Sequence, residues 1–320
     1  MGISYYPYDG KNAEVLLENA ESVMVSAKSR GHGNDFLFYS DEIHTNITKL
    51  LELTTDLQNA LKQHEFFLLY QPIVNLKNGR IHGVEALIRW NHPKHGLISP
   101  DVFIPLAEKS ELINAIGDWV LRTACLQHQE WMKKGLPRLW MAVNFSNEQF
   151  KQHDLDEKIR QILKETKMNP NCLEIEMTER DFIDTNNIML NKFLKITNQG
   201  VKLAVDDFGT GYSNFTYLKE FPIHTLKIDQ SFIKNIDFDP ENAAIVNAMI
   251  SMAKTLKIKV IVEGIENEGQ LRILKQTQCD EGQGYYFSKP IDAEAIAKIL
   301  QEKHNGSEAE LSFNVGCVLT

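Results

Sequence analysis

Apolar and polar positions follow two rhythms along this chain, and the rhythm switches repeatedly. From residue 66 onward, short runs rich in β-branched and aromatic residues cover 66–74, 81–90, 139–145, 173–177, 202–205, 225–228, 259–262 and 285–287. Between them, apolar residues recur at helical spacing near 102–109, 113–134, 155–167, 187–199, 242–255, 268–276 and 292–301. Repeated strand-then-helix units predict an α/β protein whose sheet is mostly parallel and covered by helices. Eight strands make a TIM-type (β/α)8 barrel the leading architecture, with a doubly wound open sheet as the alternative. Only residues 75–80 join the first two strands, too few for a parallel crossover. These strands are expected to form an antiparallel hairpin, so the barrel departs from the regular pattern at its first strand.

The first 40 residues read as a small α/β unit of their own. Gly2 to Tyr6 is strand-like, Pro7 to Gly10 is a turn, and Leu16, Leu17, Ala20, Met24 and Ala27 share one helical face. Residues 31–35 stop that helix and 36–39 suit a closing strand. One helix and two short strands cannot enclose a core, so this segment is expected to be the end of a larger domain cut at Met1. Ile43, Ile47, Leu50, Leu51, Leu57 and Leu61 then mark an amphipathic linker helix. The expected organisation is a domain remnant over 1–40, a helical linker over 41–64, the barrel over 65–303 and a tail over 304–320.

Composition narrows the partners. With 320 residues and 43% apolar content the chain can bury one large core or two modest ones. The formal charge of −9 argues against binding a DNA or RNA duplex or an anionic membrane surface. Cys125, Cys172, Cys279 and Cys317 are scattered, without a CxxC pair, which excludes zinc-knuckle readings and suits a reducing cytosol. No stretch reaches the about 18 apolar residues that span a bilayer, and no signal-peptide layout opens the chain. A cytoplasmic location is expected, with a membrane anchor left open for a longer parent chain.

The chemistry gathers at one end of the strands. In a barrel of this kind, functional groups come from strand C-terminal ends and the loops after them. The second strand carries Glu85 and Arg89, the third ends at Asn144 and Ser146, and the fourth carries Glu174, Glu176 and Glu179. The fifth ends at Asp206-Asp207; later strands add Lys227 and Asp229, then Glu263 and Glu266, then Gln283 and Tyr285. Each has a structural reading taken singly. Ser146 suits a helix cap, Lys227 and Asp229 an ion pair on one strand face, and Arg89 a cation stacked on Trp90. Together they place too many acids in an apolar barrel mouth, because unpaired buried carboxylates are costly. Adjacent Asp206 and Asp207 repel each other unless a cation lies between them. Glu85, Asn144, Glu176 and Asp206 offer only oxygen donors, which suits Mg²⁺ or Mn²⁺. A second ion would be shared by Asp206 and held by Asp207 and Glu263. One or two such ions are the usual apparatus for phosphodiester hydrolysis, with Lys227 directed at the attacking water and Arg89 at a phosphate or base edge.

The segment Val84-Glu85-Ala86-Leu87-Ile88-Arg89-Trp90 resembles the signature of EAL-domain phosphodiesterases, which hydrolyse cyclic di-GMP to linear pGpG. The resemblance runs from Phe66 to about Leu300. It includes Tyr70-Gln71-Pro72-Ile73, Asn144-x-Ser146, Glu176-x-Thr178-Glu179, Asp206-Asp207-Phe208-Gly209-Thr210-Gly211, Lys227-Ile228-Asp229, Glu263-Gly264-x-Glu266 and Gln283-Gly284-Tyr285. It implies metal ligands at Glu85, Asn144, Glu176, Asp206, Asp207 and Glu263, with Lys227 assisting the water and Gln283 beside the metal–water cluster. It also implies substrate contacts from Gln71, Leu87, Arg89, Asp229, Glu266 and Tyr285. Glu179 would brace the loop 207–213, which in this family links metal occupancy to dimerisation, so a homodimer through the barrel is expected. Asn214-Phe215 and Gln278 depart from the family pattern, the former where the coupling would run.

The leading segment, with Gly2-Ile3-Ser4 and Pro7-x-Asp9-Gly10, is similar to the closing part of GGDEF diguanylate cyclase domains. The cyclase signature itself is missing from the chain, so no synthetase activity is expected. An active phosphodiesterase is the leading functional expectation. The alternative is a catalytically silent module that senses cyclic di-GMP without cleaving it.

Overall fold

The computed structural model describes residues 1–29, 37–39, 41–180, 187–211 and 216–304. The stop at 31–35, Phe36, Tyr212 and Ser213 of the supported loop, Asn214-Phe215 and the tail from 305 on lie outside the described residues. Contacts group the chain into two compact units, Met1–Glu65 with His92–Ser110, and Phe66–Asn91 with Glu111–Thr320.

In the first unit, β1 (Gly2–Ile3) pairs in parallel with β2 (Leu37–Phe38), and α1 (Ala13–Ser29) packs on them. A side chain at Gly2 would meet the Ala20 carbonyl oxygen at 1.8 Å, so only glycine permits this close approach. Helix α2 (Asp41–Ala60) buries Leu53, Leu57 and Ala60 at helical spacing. The same unit holds β5 (Gly96–Ile98) and α3 (Pro100–Lys109), which buries Phe103 and Ala107. Buried His92 ties this segment to α2. Its Nδ1 accepts the backbone N–H groups of Lys94 and His95, which puts the ring proton on Nε2, 3.0 Å from Asp56 Oδ2.

The second unit is a closed ring of eight strands. They are β3 (Phe66–Asn75), β4 (Ile81–His92), β6 (Trp140–Asn144), β7 (Leu173–Thr178), β8 (Lys202–Phe208), β9 (Thr225–Ile228), β10 (Lys259–Val262) and β11 (Glu281–Gly282). The order β3-β11-β10-β9-β8-β7-β6-β4 closes where β4 pairs with β3. Strand β3 runs antiparallel to both neighbours, with Gln71 opposite Glu85, and the remaining pairings are parallel. The expected barrel with one reversed strand is therefore the observed fold.

Helices α4 (Ile113–Lys133), α5 (Asn147–Lys151), α6 (Leu155–Thr166), α7 (Asn187–Thr197), α8 (Thr216–Glu220), α9 (Pro240–Thr255), α10 (Glu268–Gln276) and α11 (Ala293–His304) lie between and after the strands, with α5 and α6 both between β6 and β7. Their boundaries follow local chemistry. In α6, Leu155, Ile159, Ile162, Leu163 and Thr166 bury one stripe, and the helix stops where Lys167 turns left-handed at φ 61°. Helix α9 starts with Pro240 behind Asp239, whose carboxylate accepts the Glu241 and Asn242 N–H groups.

One strand lies elsewhere than expected. Residues 285–287 form a turn, and the last strand is Glu281–Gly282, in register with Ile261 and Val262. The aromatic run reads as a strand by composition. The backbone turns at Gly284 instead, where a Cβ would meet the Ile265 carbonyl oxygen at 2.1 Å, and Tyr286 N–H donates to that oxygen.

Candidate active site

Side chains on alternate strand positions share a face, so Glu176 follows Glu174 and Lys227 follows Thr225 on the same side of β7 and β9. That side is the barrel interior, because Lys227 reaches acids on strands beyond its neighbours. Its Nζ lies 2.7 Å from Glu263 Oε1, 2.8 Å from Glu176 Oε2, 3.2 Å from Asp206 Oδ1 and 3.6 Å from Glu85 Oε2. Lys227 and Glu176 are fully buried, whereas Glu263 keeps 19% of its side chain exposed toward the mouth. A single cation is thus surrounded by four carboxylates.

The two adjacent aspartates pose a geometric problem, since neighbours on a regular strand point to opposite faces. The structure solves it with an irregularity in the β8–β9 pairing between Val205 and Phe208, and with Asp207 in the left-handed region at φ 53°. A bulge of this type re-aims a side chain. As a result, ligand atoms of Asp206, Asp207 and Glu263 lie within 4.8 Å of one another, as do those of Glu85, Glu176 and Asp206. Asp206 belongs to both triads. Asp207 N–H donates to Asp206 Oδ1 at 2.9 Å, which holds the pair together.

Hydrogen bonds fix the remaining members. Asn144 Nδ2 donates to Glu85 Oε1 at 2.6 Å, and Gln283 Nε2 donates to Glu85 Oε2 at 2.7 Å and to Gln71 Oε1 at 2.9 Å. Buried Glu179 accepts the N–H groups of Gly209 at 2.9 Å and Gly211 at 3.2 Å through one oxygen. This holds the described part of the loop after β8. Leu87 and Arg89 continue from Glu85 along the same face of β4 and are half-buried. Tyr285 and Glu266 are exposed.

Two structural readings of single residues are settled. Ser146 does begin α5, with its N–H donating to Gln149 Oε1. Asp229 does not pair with Lys227 but accepts the Ser231 N–H and opens a short turn. Arg89 Nη1 donates to the Ile88 carbonyl oxygen.

Electrostatics shows what this arrangement lacks. Burial first, then Asp206, pushes Glu263 up to about 8. Burial followed by Asp206 and Asp229 pushes Asp207 up to about 6. Burial also raises Glu176 and Asp206, despite Lys227 beside them. Glu85 moves down: burial opposes the shift, but Lys227, Gln283 and Asn144 outweigh it. Burial likewise works to lower Lys227, yet Asp206, Glu176, Glu263 and Glu85 carry it well above the ordinary lysine value. One ammonium cannot balance five acids, and Glu176 Oε1 is buried without a hydrogen-bond partner. An all-oxygen donor set with an orphaned carboxylate oxygen fits a hard divalent cation.

A family profile for the EAL domain matches residues 54–290. The chain belongs to this family. Among EAL proteins it is 40% identical over 296 residues to the bifunctional diguanylate cyclase/cyclic di-GMP phosphodiesterase MucR of Pseudomonas aeruginosa, covering 92% of this chain and 43% of MucR. It is 33% identical over 298 residues to the cyclic di-GMP phosphodiesterase PdeR of Escherichia coli, covering 93% and 45%. The solved PaMucR phosphodiesterase in complex with cyclic di-GMP matches with a TM-score of 0.74 at 41% identity, over 77% of this chain and 99% of that one. The cAMP-bound EAL enzyme Bd1971 matches with a TM-score of 0.75 at 33% identity, over 90% and 78%. The chain spans less than half the length of MucR and PdeR.

Some features of the EAL site were not anticipated. Glu174, grouped in the sequence with the strand-end acids, instead accepts from Thr225 at 2.7 Å in a second buried polar layer below them. The spacing of Glu174 and Thr225, two residues from Glu176 and Lys227, was the available signal. Lys289 Nζ stands 5.7 Å from the Tyr285 ring centre, and the Ser288 carbonyl accepts from Gln71 Nε2 at 3.1 Å. Both directly follow the turn that composition disguised as a strand.

Proposed function

We propose that this EAL domain hydrolyses cyclic di-GMP to linear pGpG in a Mg²⁺- or Mn²⁺-dependent reaction. The observation that carries the reading is the pair of carboxylate triads sharing Asp206 at the C-terminal end of the barrel, around a fully buried Lys227. Glu85, Asn144, Glu176 and Asp206 would hold one ion; Asp206, Asp207 and Glu263 would hold a second. When bound, such ions supply an acidified water and stabilise negative charge on the phosphoryl oxygens.

The protein's own groups then have distinct tasks. The acids around Lys227 hold it well above the usual lysine range in the metal-free protein. It donates hydrogen bonds, and in a buried site this orients a water and offsets charge that develops on it. Leu87, Arg89 and Tyr285 would meet the nucleotide at the mouth, with Arg89 suited to a phosphate or a base edge. Asp229 and Glu266 complete the proposed substrate contacts. Glu179 supports the 207–211 segment and with it Asp207. The names of the relatives, MucR and PdeR, support cyclic di-GMP as the substrate. Homodimerisation, a cytoplasmic location and a GGDEF-like origin for residues 1–40 are further proposals resting on the sequence.

Purified protein incubated with cyclic di-GMP and Mn²⁺ is expected to release pGpG, resolved by ion-pair chromatography. Tight binding in Ca²⁺ combined with no product in Mn²⁺ would replace this reading with that of a sensor.

A further inference from the structure

Two buried glutamine side chains link the acid cluster to the turn at the barrel mouth, and the direction of each link follows from its ends. At one end the Ser288 backbone carbonyl can only accept, and it faces Gln71 Nε2 at 3.1 Å. The Gln71 amide must therefore present nitrogen to Ser288, which leaves its oxygen for Gln283, 2.9 Å away. At the other end the Glu85 carboxylate also accepts, from Gln283 Nε2 at 2.7 Å. Both hydrogens of the Gln283 amide are thus committed, one to Glu85 and one to Gln71. A flip of either amide would set oxygen against oxygen. What remains is Gln283 Oε1, buried and without a partner. A buried acceptor left unmatched is unfavourable unless a donor arrives.

We infer that Gln71, anchored on the Ser288 carbonyl, is a positioning residue that sets the direction of the Gln283 carboxamide, so that Gln283 Oε1 is offered as a fixed acceptor to the O–H of the attacking water beside Glu85. This rests on the hydrolytic reading above. It assigns Gln71 a role through Gln283 rather than through direct contact with the nucleotide. The antiparallel register that sets Gln71 opposite Glu85 is what makes the role possible. In a uniformly parallel barrel the first strand would offer that face in the other direction.

The test separates the two roles. Gln71→Met keeps the length of the side chain and removes both hydrogen bonds. For a positioning residue, kcat is expected to fall about tenfold, while KM and the Ca²⁺-supported affinity for cyclic di-GMP change less than about twofold. The double variant Gln71→Met/Gln283→Met is expected to lose no more than Gln283→Met alone, within about twofold. A weakened Ca²⁺-supported affinity with unchanged kcat overturns the proposal, as do losses that multiply in the double variant. A readout on metal-free, unmodified protein stands apart from activity and from the folding of any variant. Both hydrogens of the Gln283 side-chain amide are expected to be protected from solvent exchange in nuclear magnetic resonance spectra. Exchange of either as fast as in an exposed glutamine overturns the proposal. If the hydrolysis reading fails, turnover vanishes in unmodified protein while this protection remains, so the two failures are distinguishable.

Discussion

Lys227 sets the chemistry of the site at the scale of single residues. Four carboxylates lie within 3.6 Å of its ammonium, and removing it takes away the one positive charge that the described residues supply there. Divalent ions would compensate the acids, so metal and substrate binding should survive Lys227→Met while the chemical step slows. We expect kcat to fall about 10²- to 10³-fold, the usual cost of losing one aimed donor at a developing charge. Affinity for cyclic di-GMP in Ca²⁺ should stay within about threefold. Calorimetry and product analysis on the same preparation check this, and full turnover in the variant would remove Lys227 from the mechanism. Most members of the cluster were legible in the sequence, because acids and amides closing successive apolar runs are hard to accommodate without a ligand. Hydrogen-bond direction was not. That Asn144 and Gln283 grip opposite oxygens of Glu85, and that Asp229 turns away from Lys227 to cap Ser231, depends on geometry that spacing does not carry.

At the scale of elements, the strand–helix alternation was readable because parallel, helix-covered strands are apolar throughout and stand out against amphipathic helices. Two local departures were hidden. The aromatic run at 285–287 imitates a strand although Gly284 turns the chain, and the β8 bulge has no compositional mark beyond Asp206-Asp207 itself. The bulge has a testable consequence. Asp207 is held in a left-handed conformation that a non-glycine residue adopts only when its surroundings enforce it. The segment that follows is tied down by Glu179 through Gly209 and Gly211. Glu179→Ala leaves two N–H groups without their charged acceptor, so a loss of about 1–3 kcal/mol of stability is expected. Since Asp207 is a proposed ligand, Mn²⁺ affinity should fall as well, by about tenfold or more. Thermal unfolding with and without Mn²⁺ measures both. A variant that loses stability yet keeps full metal affinity would confine Glu179 to a structural role.

For the whole molecule, the closed ring makes the acid cluster a stability problem that metal should relieve. Glu263 titrates near 8 and Asp207 near 6 because burial and Asp206 disfavour their ionised forms; Glu176 and Asp206 shift the same way, and Glu85 alone in the cluster shifts down. A carboxyl whose folded pKa exceeds its unfolded value binds its proton more tightly in the folded protein. Its contribution is complete below the unfolded value, near 4.5 for Glu263, and is lost as pH rises through the folded value. Metal-free protein is therefore expected to lose stability between pH 5.5 and pH 8.5, with a fall in Tm of at least about 5 °C in a chelating buffer. Mn²⁺ or Mg²⁺ at saturating concentration should cancel most of that fall, because the ions take the place of the missing protons. Glu263→Gln, neutral at every pH, should flatten the profile without metal. Differential scanning calorimetry of both proteins at the two pH values decides the point. A Tm that is independent of pH in chelator, or a slope that Glu263→Gln leaves intact, would show that the strain of these acids does not reside where the barrel concentrates them.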